Sequence, residues 1–270
     1  MSSKRNDYDG HRHYTQPWDG QEVPSVTTIL DVLDKPALMR WAARRVAEES
    51  QAQASRWRAM EPEAAVAALK GIPWADKDNA AKVGTDAHAF AESCLNLERP
   101  IAEPTPAEAW DNDRAVKNVV AILTGLGIEP ILIEPTLYGP GYAGTADLFA
   151  KVNGVPMLLD WKSASGVYPD NALQLAAYKY SSKAEQPGQQ LLIDTPQVAS
   201  CGILHIPKTG SASVVELNVG GVEWTAFLAA KLLWTWQKHR AKEVLMAPVG
   251  PEGFSQWPAN SKPRRRRAAK

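Results

Sequence analysis

The stretch TADLFAKVNGVPMLLDWK, residues 145–162, holds two apolar runs separated by Asn153-Gly154. Asn-Gly between apolar runs signals a two-residue hairpin, because both residues tolerate the positive φ such a turn needs. If these two form the turn, Val152 faces Val155, and every further cross-strand pair has positions summing to 307. Asp147 and Asp160 are such a pair, which sets their Cβ atoms ~4.5–5.5 Å apart. Bonded and non-bonded pairs alternate outward from the turn, so Asp147/Asp160 falls on the closer, non-bonded type. Pro156 also falls on a non-bonded position, where its missing N–H costs nothing.

Side chains alternate along a strand, so Lys162 shares a face with Asp160. Two carboxylates and an ammonium therefore converge on one patch. Like charges directly opposite each other in a sheet are destabilising. A hard divalent cation would offset that repulsion, and Lys162 alone would offset part of it. An exposed hairpin with a surface ion pair is the plainer alternative, but Leu158 and Leu159 mark a buried strand.

Before the hairpin the chain reads as mostly helical. VPSVTTILDVL (23–33) is a cap and a short helix, and residues 36–56 form a second helix with Leu38, Trp41, Ala42 and Val46 at helical spacing. Further helices are expected at 62–70, stopped by Gly71 and Pro73, at 78–97 and at 106–124. A strand starts at Ile131 and runs toward Leu137, followed by a turn in YGPGYAG. After the hairpin come a helix at 169–183, strands near 200–206 and 212–219, and a last helix at 221–242. That order predicts an α/β or α+β fold with a mixed sheet. The tryptophans of the last helix, Trp224, Trp234 and Trp236, read as core, and His11 and His13 as solvated.

Four short motifs occur in one order: GTDAH (84–88), GTAD (144–147), DWK (160–162) and QLAAY (174–178). Asp160-Trp-Lys162 is the only place where a lysine follows an acid by two residues. In this set the chain resembles the PD-(D/E)xK nuclease superfamily, and within it the RecB-like exonucleases of phage and CRISPR-associated type. The opening VPSVTTIL…KPALMRWAAR is similar to theirs too, and the resemblance covers roughly residues 23–183. With two cysteines, Cys94 and Cys201, the chain departs from the branch whose four cysteines hold an iron–sulfur cluster. Both read as reduced, buried thiols.

The resemblance implies a restriction-endonuclease-like core, a mixed sheet flanked by helices with a helical N-terminal part. It implies that Asp147, Asp160, the backbone carbonyl of Trp161 and His88 bind Mg²⁺ or Mn²⁺, with Gly84 letting the His88 helix approach the sheet. An imidazole ligand tilts preference toward Mn²⁺. Lys162 would orient the attacking water and stabilise charge on the phosphodiester. Gln174 and Tyr178, one helical turn apart, would contact the DNA backbone or brace Lys162. Glu134 is either a further carboxylate of the metal shell or a surface acid.

The expected activity is a metal-dependent DNA exonuclease of recombination, repair or replication, phage-encoded, acting on DNA ends or single strands beside a recombination or annealing protein. A structure-specific or restriction-like endonuclease, and a non-catalytic DNA-end-binding protein, are the alternatives. No phosphate-loop motif is present, so no helicase motor is expected. Without a secretory signal or a membrane-spanning run, the expected location is the cytoplasm, the host's for a phage protein.

The formal net charge is zero, but the last 13 residues, PANSKPRRRRAAK, hold six basic residues and no acid. Setting those aside leaves 24 basic against 30 acidic residues, a net of −6 for residues 1–257. An acidic body argues against whole-surface DNA binding and suits a carboxylate site that takes a cation. The basic tail is either a solubilising segment or a phosphate grip. The chain is thus read as a flexible N-terminus (1–22), one nuclease domain (23–245, helical to 125 and sheet-based from 126) and a disordered tail (246–270).

Overall fold

A computed structural model describes residues 5–8, 10–96, 113–189, 191–207, 209–245 and 250–252. The basic tail lies outside them, apart from Gly250, Pro251 and Glu252. The elements, in chain order, are β1 (Arg5–Tyr8), β2 (His11–Thr15), β3 (Glu22–Pro24), α1 (Val26–Leu30), α2 (Pro36–Ala52), α3 (Ala54–Arg58), α4 (Pro62–Leu95) and α5 (Asp113–Gly125). Then follow β4 (Ile128–Ile133), β5 (Thr136–Gly139), β6 (Tyr142–Thr145), β7 (Leu148–Val152), β8 (Val155–Lys162), α6 (Asp170–Lys179), β9 (Lys183–Glu185), β10 (Leu192–Asp194), β11 (Ser200–His205), β12 (Ser213–Leu217) and α7 (Gly221–His239).

A five-stranded mixed sheet, ordered β12-β11-β8-β7-β4, forms the centre. Only β8 and β11 are parallel in it. The expected mixed-sheet α+β architecture is therefore observed. The hairpin register is the one the Asn-Gly turn dictates: Asn153 and Gly154 have φ of 49° and 82°, and the pairs run from Val152↔Val155 to Leu148↔Leu159. Strand alternation then sorts the core. Phe149, Leu158, Cys201 and Ile203 face α1, α6 and α7, while Leu148, Leu159, Trp161 and Leu204 face α5 and the C-terminal half of α4. With both faces covered, β8 reads as the near-continuous apolar run of a buried strand. Both cysteines are buried, and burial pushes the Cys201 thiol up to about 11.

Several expectations are corrected. The two helices expected at 62–70 and 78–97 are one helix, α4, with Pro73 inside it. Pro73 costs a backbone hydrogen bond, roughly 3 kcal/mol. The packing of α4 against α2, α3 and α5 offsets that. The helix expected over 36–56 ends at Ala52, with α3 following. The segment expected as one strand from Ile131 toward Leu137 is two strands in different sheets, split where Glu134 takes a φ of 51° before Pro135. The helix expected to reach 183 ends at Lys179, and residues 183–185 form β9 of a second, antiparallel sheet ordered β10-β9-β5-β6.

The N-terminus is not a flexible segment in its described part. Strands β1, β2 and β3 form a small antiparallel sheet whose Tyr14 and Val23 pack with Tyr138 and Ala143 of the second sheet. His13 is buried there rather than solvated. Trp224 and Trp234 pack against the core as expected, but Trp236 is 44% exposed. Of the helix expected at 106–124, residues 106–112 lie outside the described residues. Among the described residues, no helix is long and apolar enough to cross a membrane.

Candidate active site

The site forms where two sheets exchange strands. The chain leaves the central sheet at Glu134 and returns to it at Asp147. Glu134 donates its N–H to the Asp147 carbonyl at 2.9 Å, and Ala146 donates to the Pro135 carbonyl at 3.1 Å. The β7/β8 ladder thus stops at Leu148↔Leu159, one step short of the acidic pair. Asp147 fills the gap with its side chain: Oδ2 accepts the Trp161 N–H at 2.7 Å. The Lys162 carbonyl is bonded to Ile206 on the other edge of β8. By alternation the Trp161 carbonyl therefore points, like its N–H, toward Asp147 past the end of the ladder. That is the direction expected of a ligand carbonyl. The indole itself is buried on the opposite face.

Asp160 is 2% exposed. Its Oδ1 accepts from Gln174 Nε2 at 3.0 Å, and Lys162 Nζ stands 2.5 Å from Oδ2. Oδ2 has no hydrogen bond of good geometry besides that ion pair. An ionised carboxylate has about four acceptor sites, so this one has unused capacity in a buried place. Burial opposes the charge on Lys162, but Asp160 and Asp147 outweigh it and raise the ammonium above its ordinary pKa. Lys162 is held protonated.

On α6, the direct partner of Gln174 is the carboxylate that Lys162 pairs with. Gln174 binds Asp160 rather than Lys162, and its Nε2 also lies 3.4 Å from the Tyr178 hydroxyl. Tyr178 is 3% exposed, its ring enclosed by the fold. Its ring packs where a Cβ on Gly144 would sit, 2.8 Å from Tyr178 Cε1 and 3.2 Å from Val26 Cγ2. The glycine of GTAD is therefore required by packing against the tyrosine of QLAAY. Gly144→Ala should destabilise the protein by about 1–3 kcal/mol, an overpacking cost. Thermal unfolding measures it, and an unchanged midpoint would remove Gly144 from this account.

His88 reaches the cluster from α4, with Nδ1 3.6 Å from Asp147 Oδ2. Gly84 has the expected role: a Cβ there would meet Ser163 Oγ at 2.7 Å, directly after β8. Glu134 belongs to the cluster rather than to the free surface. Burial, then Asp147, Glu92 and Asp160, push its carboxyl up to about 8. Burial and Asp160 push Asp147 up to about 6, against the pull of His88, Lys162 and the Trp161 N–H. A left-handed, non-glycine residue beside the carboxylates is strain of the kind that gathers at functional sites.

Two neighbours escaped the reading of the sequence. Glu92 lies four residues after His88, on the same face of α4, and that spacing was the available signal. His205 pairs with Lys162 across the parallel ladder, and its Nε2 bonds the Ala164 carbonyl at 2.8 Å. No local motif announces it, because only the strand register brings it there.

Among the described residues, no three His, Cys, Asp or Glu side chains stand close enough together to hold a metal ion. The donor set nonetheless fits one in kind: clustered carboxylates whose pKa is raised by one another and by burial, an imidazole, and a buried carboxylate oxygen with spare capacity. Hard divalent cations take such oxygen donors. In comparison with known proteins, no family model and no curated protein matches this chain.

Proposed function

We propose that the chain is a divalent-metal-dependent deoxyribonuclease of PD-(D/E)xK type, an exonuclease that hydrolyses phosphodiester bonds at DNA ends. One observation carries the reading. A buried Asp160, an adjacent Asp147 and a protonated Lys162 meet at the end of one hairpin, oriented by Gln174. Asp147, Asp160, the Trp161 carbonyl and His88 would hold Mg²⁺ or Mn²⁺, with Glu134 as a further carboxylate. A cation bound there supplies Lewis acidity toward the phosphate and lowers the pKa of water.

The chain's own residues do the positioning. Lys162 offers a fixed positive charge at the rim of the buried acids, where it orients water and offsets charge building on the phosphate. Gln174 fixes the rotation of the Asp160 carboxylate, and Tyr178 acts through Gln174. Exonuclease action, a cytoplasmic setting, a role in recombination, repair or replication, and a recombination or annealing partner are inferred from the family resemblance.

End-labelled linear duplex and closed circular plasmid, each incubated with Mn²⁺ or Mg²⁺, test the mode of attack. Linear DNA should shorten from its ends while the circle stays intact. Cutting of the circle makes the enzyme an endonuclease. Binding without cleavage of either makes the fold a DNA-binding scaffold.

A further inference from the structure

Helix α2 has the apolar stripe of a core helix, yet none of its 17 residues is buried. Leu38 is 42% exposed, and Trp41 is only partly covered. The stripe lines a groove of about 950 Å³ that Ser165 and Tyr168, of the loop between Lys162 and α6, line as well. Ser165, at the start of that loop, follows Lys162 by three residues in the chain.

The groove is mostly apolar with a basic edge. Arg40, Arg44 and Lys77 line it, and Arg40 and Arg44 lie on the exposed side of α2. Of the acids present, Asp76 is taken up by Arg45 at 2.8 Å, and Asp170 contributes to the field that keeps Lys162 charged. Asp34 remains at the rim. Tyr168 is 46% exposed but held in place: its hydroxyl pairs with Ser165 Oγ at 3.0 Å, and its N–H bonds Asn171 Oδ1 at 2.9 Å. An exposed, fixed aromatic and a half-buried tryptophan lining one groove, with guanidinium groups alongside, have the chemistry of a stacking groove for single strands.

We infer that this groove carries a single DNA strand to or from the carboxylate site, with bases stacking on Trp41 and Tyr168 and phosphates on Arg40 and Arg44. The inference rests on the nuclease reading for the nature of the strand. A duplex does not fit it, because paired bases offer no free faces to the aromatic rings.

The test is equilibrium binding of fluorescein-labelled dT20, and of a 20-base-pair duplex, to the full chain in EDTA, read by anisotropy. Trp41→Ala and Tyr168→Ala should each weaken dT20 binding by about 5–100-fold, the range of one lost stack. Arg40→Gln with Arg44→Gln, both exposed positions, should lower the slope of log affinity against log salt by about 1.4, at 0.7 per phosphate contact on a single strand. Unchanged dT20 binding in these variants overturns the inference, as does a wild type that binds only the duplex or neither. So does a wild-type dimer that Trp41→Ala converts to a monomer with DNA binding intact, since the groove then seats a second copy. Metal-dependent cleavage by the wild type, lost in Lys162→Ala, judges the nuclease reading separately from all of these.

Discussion

Lys162→Ala is expected to lower the rate of metal-dependent DNA cleavage by roughly 10²–10³-fold, the cost of removing one well-placed charge from a reacting site. The side chain is 24% exposed and ion-paired with Asp160. Its loss leaves the core packing of β8 untouched. It does leave a buried carboxylate without its counter-charge, which costs about 3–5 kcal/mol when nothing replaces it. The variant should therefore unfold at a lower temperature in EDTA, and regain much of that loss when Mn²⁺ is added. Single-turnover cleavage rates, with calorimetry for cation binding, separate the two roles. Full metal binding with slow cleavage places Lys162 in the chemistry. Near-normal cleavage reduces it to a neutraliser of Asp160.

The second large effect is on stability without DNA. Glu134 titrates near 4.5 and Asp147 near 3.8 in an unperturbed setting, against about 8 and about 6 in the fold. Between each pair of values the folded protein holds a proton that the unfolded chain has released. Stability is therefore full at low pH and falls as pH rises, first through Asp147 and then through Glu134. Together they are worth on the order of a few kcal/mol. A divalent cation does for the ionised acids what the protons do at low pH. Mn²⁺ should thus raise the melting temperature strongly at pH 8 and little at pH 5, and cation at 100 times its Kd should contribute about 2.7 kcal/mol. Glu134→Gln should flatten the EDTA profile. A profile already flat in the wild type between pH 5 and 8 would show that these acids are not the coupled cluster described.

The hairpin was fully legible, because Asn153-Gly154 fixes the register and the register fixes which side chains share a face. The Asp147–Asp160–Lys162 grouping followed from that alone. What the register could not show is that Asp147 leaves the ladder and caps the Trp161 N–H. That depends on the strand exchange at Glu134, where a positive φ in a glutamate overrides its ordinary preference. Gly71 and Pro73 read as helix stops, because packing by α2, α3 and α5, which keeps α4 unbroken, is not written in local propensity. The N-terminal strands are short and polar, so they carry no alternation to read, and what ties them to the rest is tertiary: Tyr14 and Val23 pack on the second sheet, and the Arg12 backbone is bonded to the Thr28 hydroxyl. The burial of Tyr178 was hidden for a related reason: helical spacing put it beside Gln174 but could not say that Gly144 makes room for its ring.

The most direct measurement is the cleavage of end-labelled linear duplex and single-stranded DNA by the purified chain in Mn²⁺, in Mg²⁺ and in EDTA, with Asp160→Ala alongside. The labelled strand should shorten with either cation, faster with Mn²⁺, not at all in EDTA, and not at all with Asp160→Ala under any condition. Cleavage that persists in EDTA, or that survives Asp160→Ala, would contradict the metal-dependent nuclease reading.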